Sequence, residues 1–249
     1  MPVEELKYLK STMPELGLEF FYTIHDPGII LPLFIITVAM IPNIISIDFL
    51  KYKQNKFKYL LVNRISYKKL KKFFRYVNFI YSFIFAFISQ IVVLIVIHLF
   101  CFEISFDTST FYNLSEQVTK FSNSVLLNLI VYIFLSSFGY AIFSHFIYSL
   151  QTVVKNTYLY KSLGIFISLI LIIGPGVLTN VTHGICGNLI ATLSYFLCVT
   201  NLLNPGTIIT PILDESMYIF FYIGAIIIYY LMAFYFFEIG EKREYQYDK

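Results

Sequence analysis

Five stretches of the chain contain no Asp, Glu, Lys or Arg: 27–47, 76–102, 121–154, 162–213 and 216–237. An α-helix rises about 1.5 Å per residue, so about 20 apolar residues cross a hydrocarbon core of about 30 Å, and every stretch is long enough. Uncharged runs of this length do not suit the core of a soluble domain. The pattern predicts an all-α, polytopic transmembrane protein, a single domain with helical spans at 27–47, 76–102, 123–150, 162–178 and 216–237.

The longest stretch, 162–213, has room for two spans, but its punctuation predicts something else. GPG at 174–176 is expected to break the helix, TNVTHG follows at 179–184, GNLIATLSYFLC is a short apolar run, and NPG at 204–206 closes it. One span over 162–178 followed by a re-entrant segment over 179–213, dipping in and returning to the same side, fits these signals. Non-helical backbone at membrane depth needs protein or water around it, so this segment is expected to line something rather than face lipid.

Charge then orients the chain. With 48–75 in the cytoplasm, that side collects fifteen of the eighteen Lys and Arg residues, leaving only Lys7, Lys10 and Lys120 outside. The positive-inside rule therefore predicts residues 1–26 as an extracellular segment, the C-terminus inside, and five crossings of a cell membrane. Residues 1–26 carry mixed charge and lack the basic start and apolar run of a secretory signal, so insertion is expected to rely on the spans. Tyr76, Tyr81, Tyr148, Tyr218 and Tyr235 lie near span ends, where amphipathic rings anchor at headgroups.

Composition agrees: 58% of residues are hydrophobic, 13% are charged, and the mean hydropathy is +0.73. Against that background the stretch 51-KYKQNKFKYLLVNRISYKKLKKFFR-75 stands out, with ten basic residues and no acidic one. Leu50, Phe57 and Leu61 recur at helical spacing among Lys51, Lys53, Lys56 and Lys58, which predicts a short amphipathic helix. Asn63, Arg64 and Ile65 interrupt it. Ser66 is placed to cap a second helix that runs along the inner membrane face and turns upward near Tyr76. The stretch reads either as an interfacial loop whose lysines reach anionic lipid or as a docking helix for a cytoplasmic partner. A nucleic-acid patch is the weaker fit, since a loop between two spans is poorly placed to meet one.

Little in the sequence points to catalysis, a metal or a cofactor. The apolar windows hold no carboxylate, Glu238 sits at the exit of the last span, and the four histidines, His25, His98, His145 and His183, are scattered. On the predicted topology His98 lies near the outer surface and His145 near the inner one, too far apart to share a metal. Cys101, Cys186 and Cys198 form no C-x-x-C pair and read as buried small hydrophobes. His183 and Cys186 in THGIC resemble a nucleophile beside a base, but nothing specifies a third group. With only neutral groups such as Gln90, Asn128, Ser136 and Ser137 in the spans, an ion-coupled carrier is not expected. No G-x-x-x-x-G-K-[ST] motif occurs, so energy for uphill transport must come from another chain.

Taken together, LPLF…IPNIISID at 31–48, KYKQNKFKYLLVNRIS at 51–66 and the YKKLKKF lead-in resemble the permease subunits of type 2 ATP-binding-cassette exporters. These include small permeases associated with antimicrobial-peptide immunity and peptide export. The resemblance implies a coupling segment within 48–75 that docks on a separate ATP-binding subunit, carried here by Asp48, Leu50, Lys51, Lys56, Phe57, Leu61, Arg64, Ser66 and Tyr67. It also implies a second permease copy or paralogue, membrane lipid as surroundings, an extracellular hairpin before the last span, and no catalytic residue or cofactor in this chain. That family has six spans with both termini inside. Here residues 1–26 look like the external loop after its first span, which points to a start placed too late or to a reduced relative. A non-transporting immunity or scaffold protein that uses the basic loop to hold lipid or peptide is the competing expectation.

Overall fold

A computed structural model of the chain describes residues 16–25, 67–106, 124–150, 153–154, 156–181, 193–194, 196–205 and 218–247. Six α-helices are described: α1 (Gly17–His25), α2 (Tyr67–Val96), α3 (Val125–Leu150), α4 (Thr157–Val181), α5 (Val199–Leu203) and α6 (Tyr218–Tyr247). α2 continues into a wider π-helical turn at Ile97–Cys101. Among the described residues the only extended pairing is an isolated antiparallel bridge between Leu16 and Ile104.

Among the described residues three helical stretches are long and apolar enough to cross a membrane: Lys72–Cys101, Val125–Leu150 and Ile219–Gly240. Their polarity runs opposite to that of a water-soluble bundle. Asn78, Ser82, Gln90, Ser136 and Ser144 are buried, while Ile80, Ile84, Ile88 and Val92 on α2 and Ile223, Ile227, Leu231 and Phe234 on α6 are exposed. Apolar side chains turned outward along whole helices mark a membrane protein, because hydrocarbon removes the drive to hide them.

α3 is the centre. Eighteen of its 26 residues are buried, so it is enclosed by its neighbours over most of its circumference. α2 runs antiparallel to it, since Asn78 meets Ser144 while Gln90 meets Ser136. α6 runs parallel to it: the Tyr222 hydroxyl donates to the Leu135 carbonyl at 2.8 Å, and further along Tyr148 packs on Phe237. α5 lies against the middle of α3, where an added Cβ at Gly139 would run into the Leu202 carbonyl group. Gly139 thus permits backbone-to-backbone approach, and Val199, Leu202 and Leu203 are wholly buried there.

Four expectations change. α4 is not broken at GPG but runs through Pro175 to Val181. Proline removes one backbone hydrogen bond, but the clash it makes with the preceding residue's Cβ is absent because that residue is Gly174, and apolar surroundings penalise opening further bonds. α2 does not turn at Tyr76. It is one 30-residue helix, about 45 Å long at about 1.5 Å per residue, so its basic first turns extend beyond a core of about 30 Å. Tyr148 is no headgroup anchor: it is 2% exposed, because the end of the central helix is surrounded, whereas Tyr76 and Tyr235 do face outward. Finally, the stretch read only as an external segment supplies core. In α1, Leu18, Phe21 and Tyr22 are buried with Ile97, Val125, Leu129 and Tyr132 of α2 and α3.

Substituting Gly139 by alanine is expected to destabilise the protein by about 1–3 kcal/mol, because the added methyl must displace backbone. Gly224→Ala is expected to cost less, since the obstacle there is the Phe196 ring, a side chain that can move. Thermal unfolding of both variants in lipid nanodiscs checks the order.

Candidate functional site

Of the residues expected to meet a partner, Asp48, Leu50, Lys51, Lys56, Phe57, Leu61, Arg64 and Ser66 lie outside the described residues, as do His183 and Cys186. Tyr67 is the first residue of α2, directly after the expected Ser66 cap. What the structure describes here begins at Tyr67: an unbroken helix leading into the bundle.

Its first turns carry Lys69 and Lys72, both exposed, and Arg75, which is half-buried. The Arg75 guanidinium lies 3.6 Å from the centroid of the Phe237 ring of α6. His145 of α3 sits 5.3 Å from the same ring, centroid to centroid, and stacks on Tyr230 at an interplanar angle of 11°. A cation over an aromatic face is worth about 0.5–2 kcal/mol depending on its exposure. Arg75 therefore fastens the basic end of α2 to α6, with His145 of α3 beside the same ring. On α6 one turn further, Lys242 Nζ donates to Glu238 at 2.8 Å, and that hydrogen bond raises the Lys242 pKa.

Deeper in, the contact between α2 and α3 is polar. Asn78 Nδ2 donates to the Ser144 hydroxyl at 3.0 Å and to the Ser144 carbonyl at 3.2 Å, and Ser82 donates to the same hydroxyl at 2.7 Å. Three turns on, Gln90 Nε2 donates to Ser136 Oγ at 3.0 Å, and Ser136 passes its own hydrogen to the Leu203 carbonyl at 2.5 Å. One serine thus joins α2, α3 and the end of α5. At the outer end, Asn204 Nδ2 donates to the His25 carbonyl and Asn204 Oδ1 accepts from the Tyr132 hydroxyl at 3.4 Å, so α1, α3 and α5 meet at one amide.

Sequence alone marks Gln90, Ser136 and their neighbours as neutral groups within spans, and gives no hint that they form one seam. A signal is nevertheless present. Tyr132, Ser136, Tyr140, Ser144 and Tyr148 place a hydroxyl at every fourth position of α3, and all five side chains are buried. Asn78, Ser82, Ala86 and Gln90 form the matching row on α2.

His98 and His145 lie at opposite ends of the bundle, His98 accepting from the Ile104 amide at 3.3 Å. Cys198 is buried against the Thr200 hydroxyl at 2.8 Å. Among the described residues no three His, Cys, Asp or Glu side chains converge on a metal position. Comparison of the chain with protein-family models, characterised proteins and solved structures gives no match.

Ser144→Ala removes the acceptor shared by Asn78 and Ser82 and is expected to cost about 1–3 kcal/mol, the penalty of leaving buried donors unanswered. Ser137→Ala, which loses a bond to its own helix at the Ile133 carbonyl, is expected to cost less. Combining Asn78→Ala with Ser144→Ala in a double-mutant cycle is expected to give a loss smaller than the sum, measured by unfolding in nanodiscs.

Proposed function

We propose that the chain is the multi-pass membrane subunit of an ATP-binding-cassette exporter in the cell membrane. A separate subunit hydrolyses the ATP and a second permease copy or paralogue completes the path. One observation carries the reading: of the ten cations of 51–75, which include no acid, Lys68, Lys69, Lys71, Lys72 and Arg75 lie on the first turns of α2, a single 30-residue helix. A loop that only held lipid would have no need of a rigid lever behind it.

The mechanism is alternating access. Closure of the ATPase pair pushes on the segment containing Asp48, Lys51, Lys56, Phe57, Arg64 and Ser66. The push enters α2 at Tyr67, reaches α6 through Arg75 and Phe237, and reaches α3 through the Asn78–Ser144 and Gln90–Ser136 bonds. Two arrangements of the same helices, biased by nucleotide on one side and cargo on the other, constitute the coupling. The antiparallel run of α2 against α3 and α6 supports a topology in which these helices alternate across the bilayer, within five crossings. The burial of α5 at mid-height of α3 supports a re-entrant segment over 179–213. The aromatic interior suits an amphipathic or hydrophobic cargo, such as a peptide or a drug-like molecule.

The test is purification of the tagged chain from its native membrane. A nucleotide hydrolase is expected to co-purify, and the triple charge reversal Lys51→Glu, Lys56→Glu and Arg64→Glu is expected to release it while the chain stays in the membrane. Undiminished binding by the triple variant, or no hydrolase with the wild-type chain, rejects the exporter reading in favour of a non-transporting immunity or scaffold protein.

A further inference from the structure

α2 and α6 each pack along α3 but scarcely on each other, and at the basic end Arg75 reaches across to Phe237. Between them α3 turns one face outward. Leu127, Phe134, Phe138 and His145 follow at intervals of seven, four and seven residues, so they share that face, and Leu127 and Phe134 are 49% and 53% exposed. On α2, Lys72, Phe79 and Phe83 recur at seven and four residues and form one wall. The Phe83 ring lies 5.5 Å from that of Phe134 and the Phe79 ring 5.8 Å from that of Phe138, centroid to centroid. Tyr230 of α6, stacked on His145, stands on the other side. The three helices thus frame a groove floored by α3 and closed at its basic end where Arg75 meets Phe237.

Polarity changes abruptly along this groove. From Leu127 to Phe138 its floor is aliphatic and aromatic, whereas its closed end carries the exposed Lys72, the guanidinium of Arg75 and the ring of His145. His145 Nδ1 is buried with no hydrogen-bond partner among the described residues. Glu238, the carboxylate that follows Phe237 in the chain, is held by Lys242 at 2.8 Å, so its charge is already answered.

We propose that the groove is a binding site for one anionic phospholipid of the leaflet at the basic end of α2, its phosphate between Lys72 and Arg75 and one acyl chain laid over Phe138 and Phe134. Charge selects the head: two cations at the mouth of an apolar channel call for a group that is negative and accepts hydrogen bonds. Length selects the tail. From His145 to Phe134 the floor runs about 16 Å at about 1.5 Å per residue, and one leaflet supplies about half of a core of about 30 Å. A soluble anion would meet the cations and leave the aromatic floor bare, while a neutral lipid would cover the floor and leave the cations unanswered. The site goes beyond the exporter reading and does not rest on it, since it requires only that α2, α3 and α6 lie in a bilayer.

The chain contains no tryptophan, so a single introduced indole reports on one place. Phe134→Trp puts it on the groove floor, and Ile88→Trp puts it on the exposed outward face of α2, between Phe83 and Gln90, which meet Phe134 and Ser136. Each full-length variant is placed in nanodiscs of phosphatidylcholine with a minor share of phosphatidylglycerol, and equal amounts of brominated acyl chains are carried on one lipid or the other. Brominated phosphatidylglycerol is expected to quench Phe134→Trp several-fold more than brominated phosphatidylcholine, and the two are expected to quench Ile88→Trp alike. Adding Lys72→Gln and Arg75→Gln to Phe134→Trp is expected to abolish the preference. Should that combination fail to fold, Lys72→Gln alone, at an exposed position, is expected to cut the preference at least twofold. Equal quenching of Phe134→Trp by both lipids gives the groove to bulk lipid, and weak quenching by both means that protein covers the floor; either overturns the site. So does a preference equally strong at Ile88→Trp or unmoved by Lys72→Gln. None of these results bears on whether a hydrolase docks at Lys51 and Arg64.

Discussion

A hydroxyl or amide carried into hydrocarbon must be answered by another part of the protein, and this requirement organises the bundle. α3 carries more such groups into the interior than any other described helix, and they have drawn the rest around it. Ser144 holds α2, Ser136 holds α2 and α5 together, Tyr132 reaches Asn204, and the carbonyl of Leu135 receives Tyr222 of α6. Hydrophobic burial cannot do this sorting, because lipid is as apolar as leucine. Shape supplies the remainder: Gly139 lets α5 touch backbone, and the rings of Phe143, Phe146 and Tyr229 interlock between α3 and α6.

Much of the architecture is legible in the sequence because the membrane writes a coarse signal. Charge-free windows contain α3 and most of α2 and α6, and Ser66 stands directly before the start of α2. The misreadings share a cause. Proline and glycine at 174–176 are helix breakers in water, where a freed backbone group finds solvent, and weaker ones in an apolar interior. Tyr148 is at the end of a span, but whether an end meets headgroups or neighbouring helices depends on position in the bundle, which hydropathy does not encode. The seam was missed for a related reason: serine and tyrosine are common in this chain, and only the spacing of four distinguishes the row on α3 from background. Residues 48–66, expected to meet a partner, lie outside the described residues, so that expectation stands on the sequence alone.

At the basic end of α2 charge and packing meet. Arg75 belongs by sequence to the basic stretch and by position to the core, since its guanidinium rests on Phe237 while Lys69 and Lys72 remain exposed. A basic flank of the span and its attachment to the neighbouring helix are thereby supplied by one segment. A lysine at 75 would keep the first property but would lose the flat cation that spreads over a ring.

The enclosure of α3 also decides how the surrounding bilayer acts on the protein. Across the most apolar 18 residues of the central span 61% are buried, against 17% in α2 and 28% in α6, so among the described helices the outer pair offers lipid chains more surface to stretch or compress against. A thinner or thicker membrane would meet its mismatch as tilt of α2 and α6, at a modest cost per ångström, and hand it to α3 only as a change in how its neighbours lean. Lipid composition thus has a stronger direct mechanical grip on the helix that follows the basic segment than on the helix that holds the bundle together.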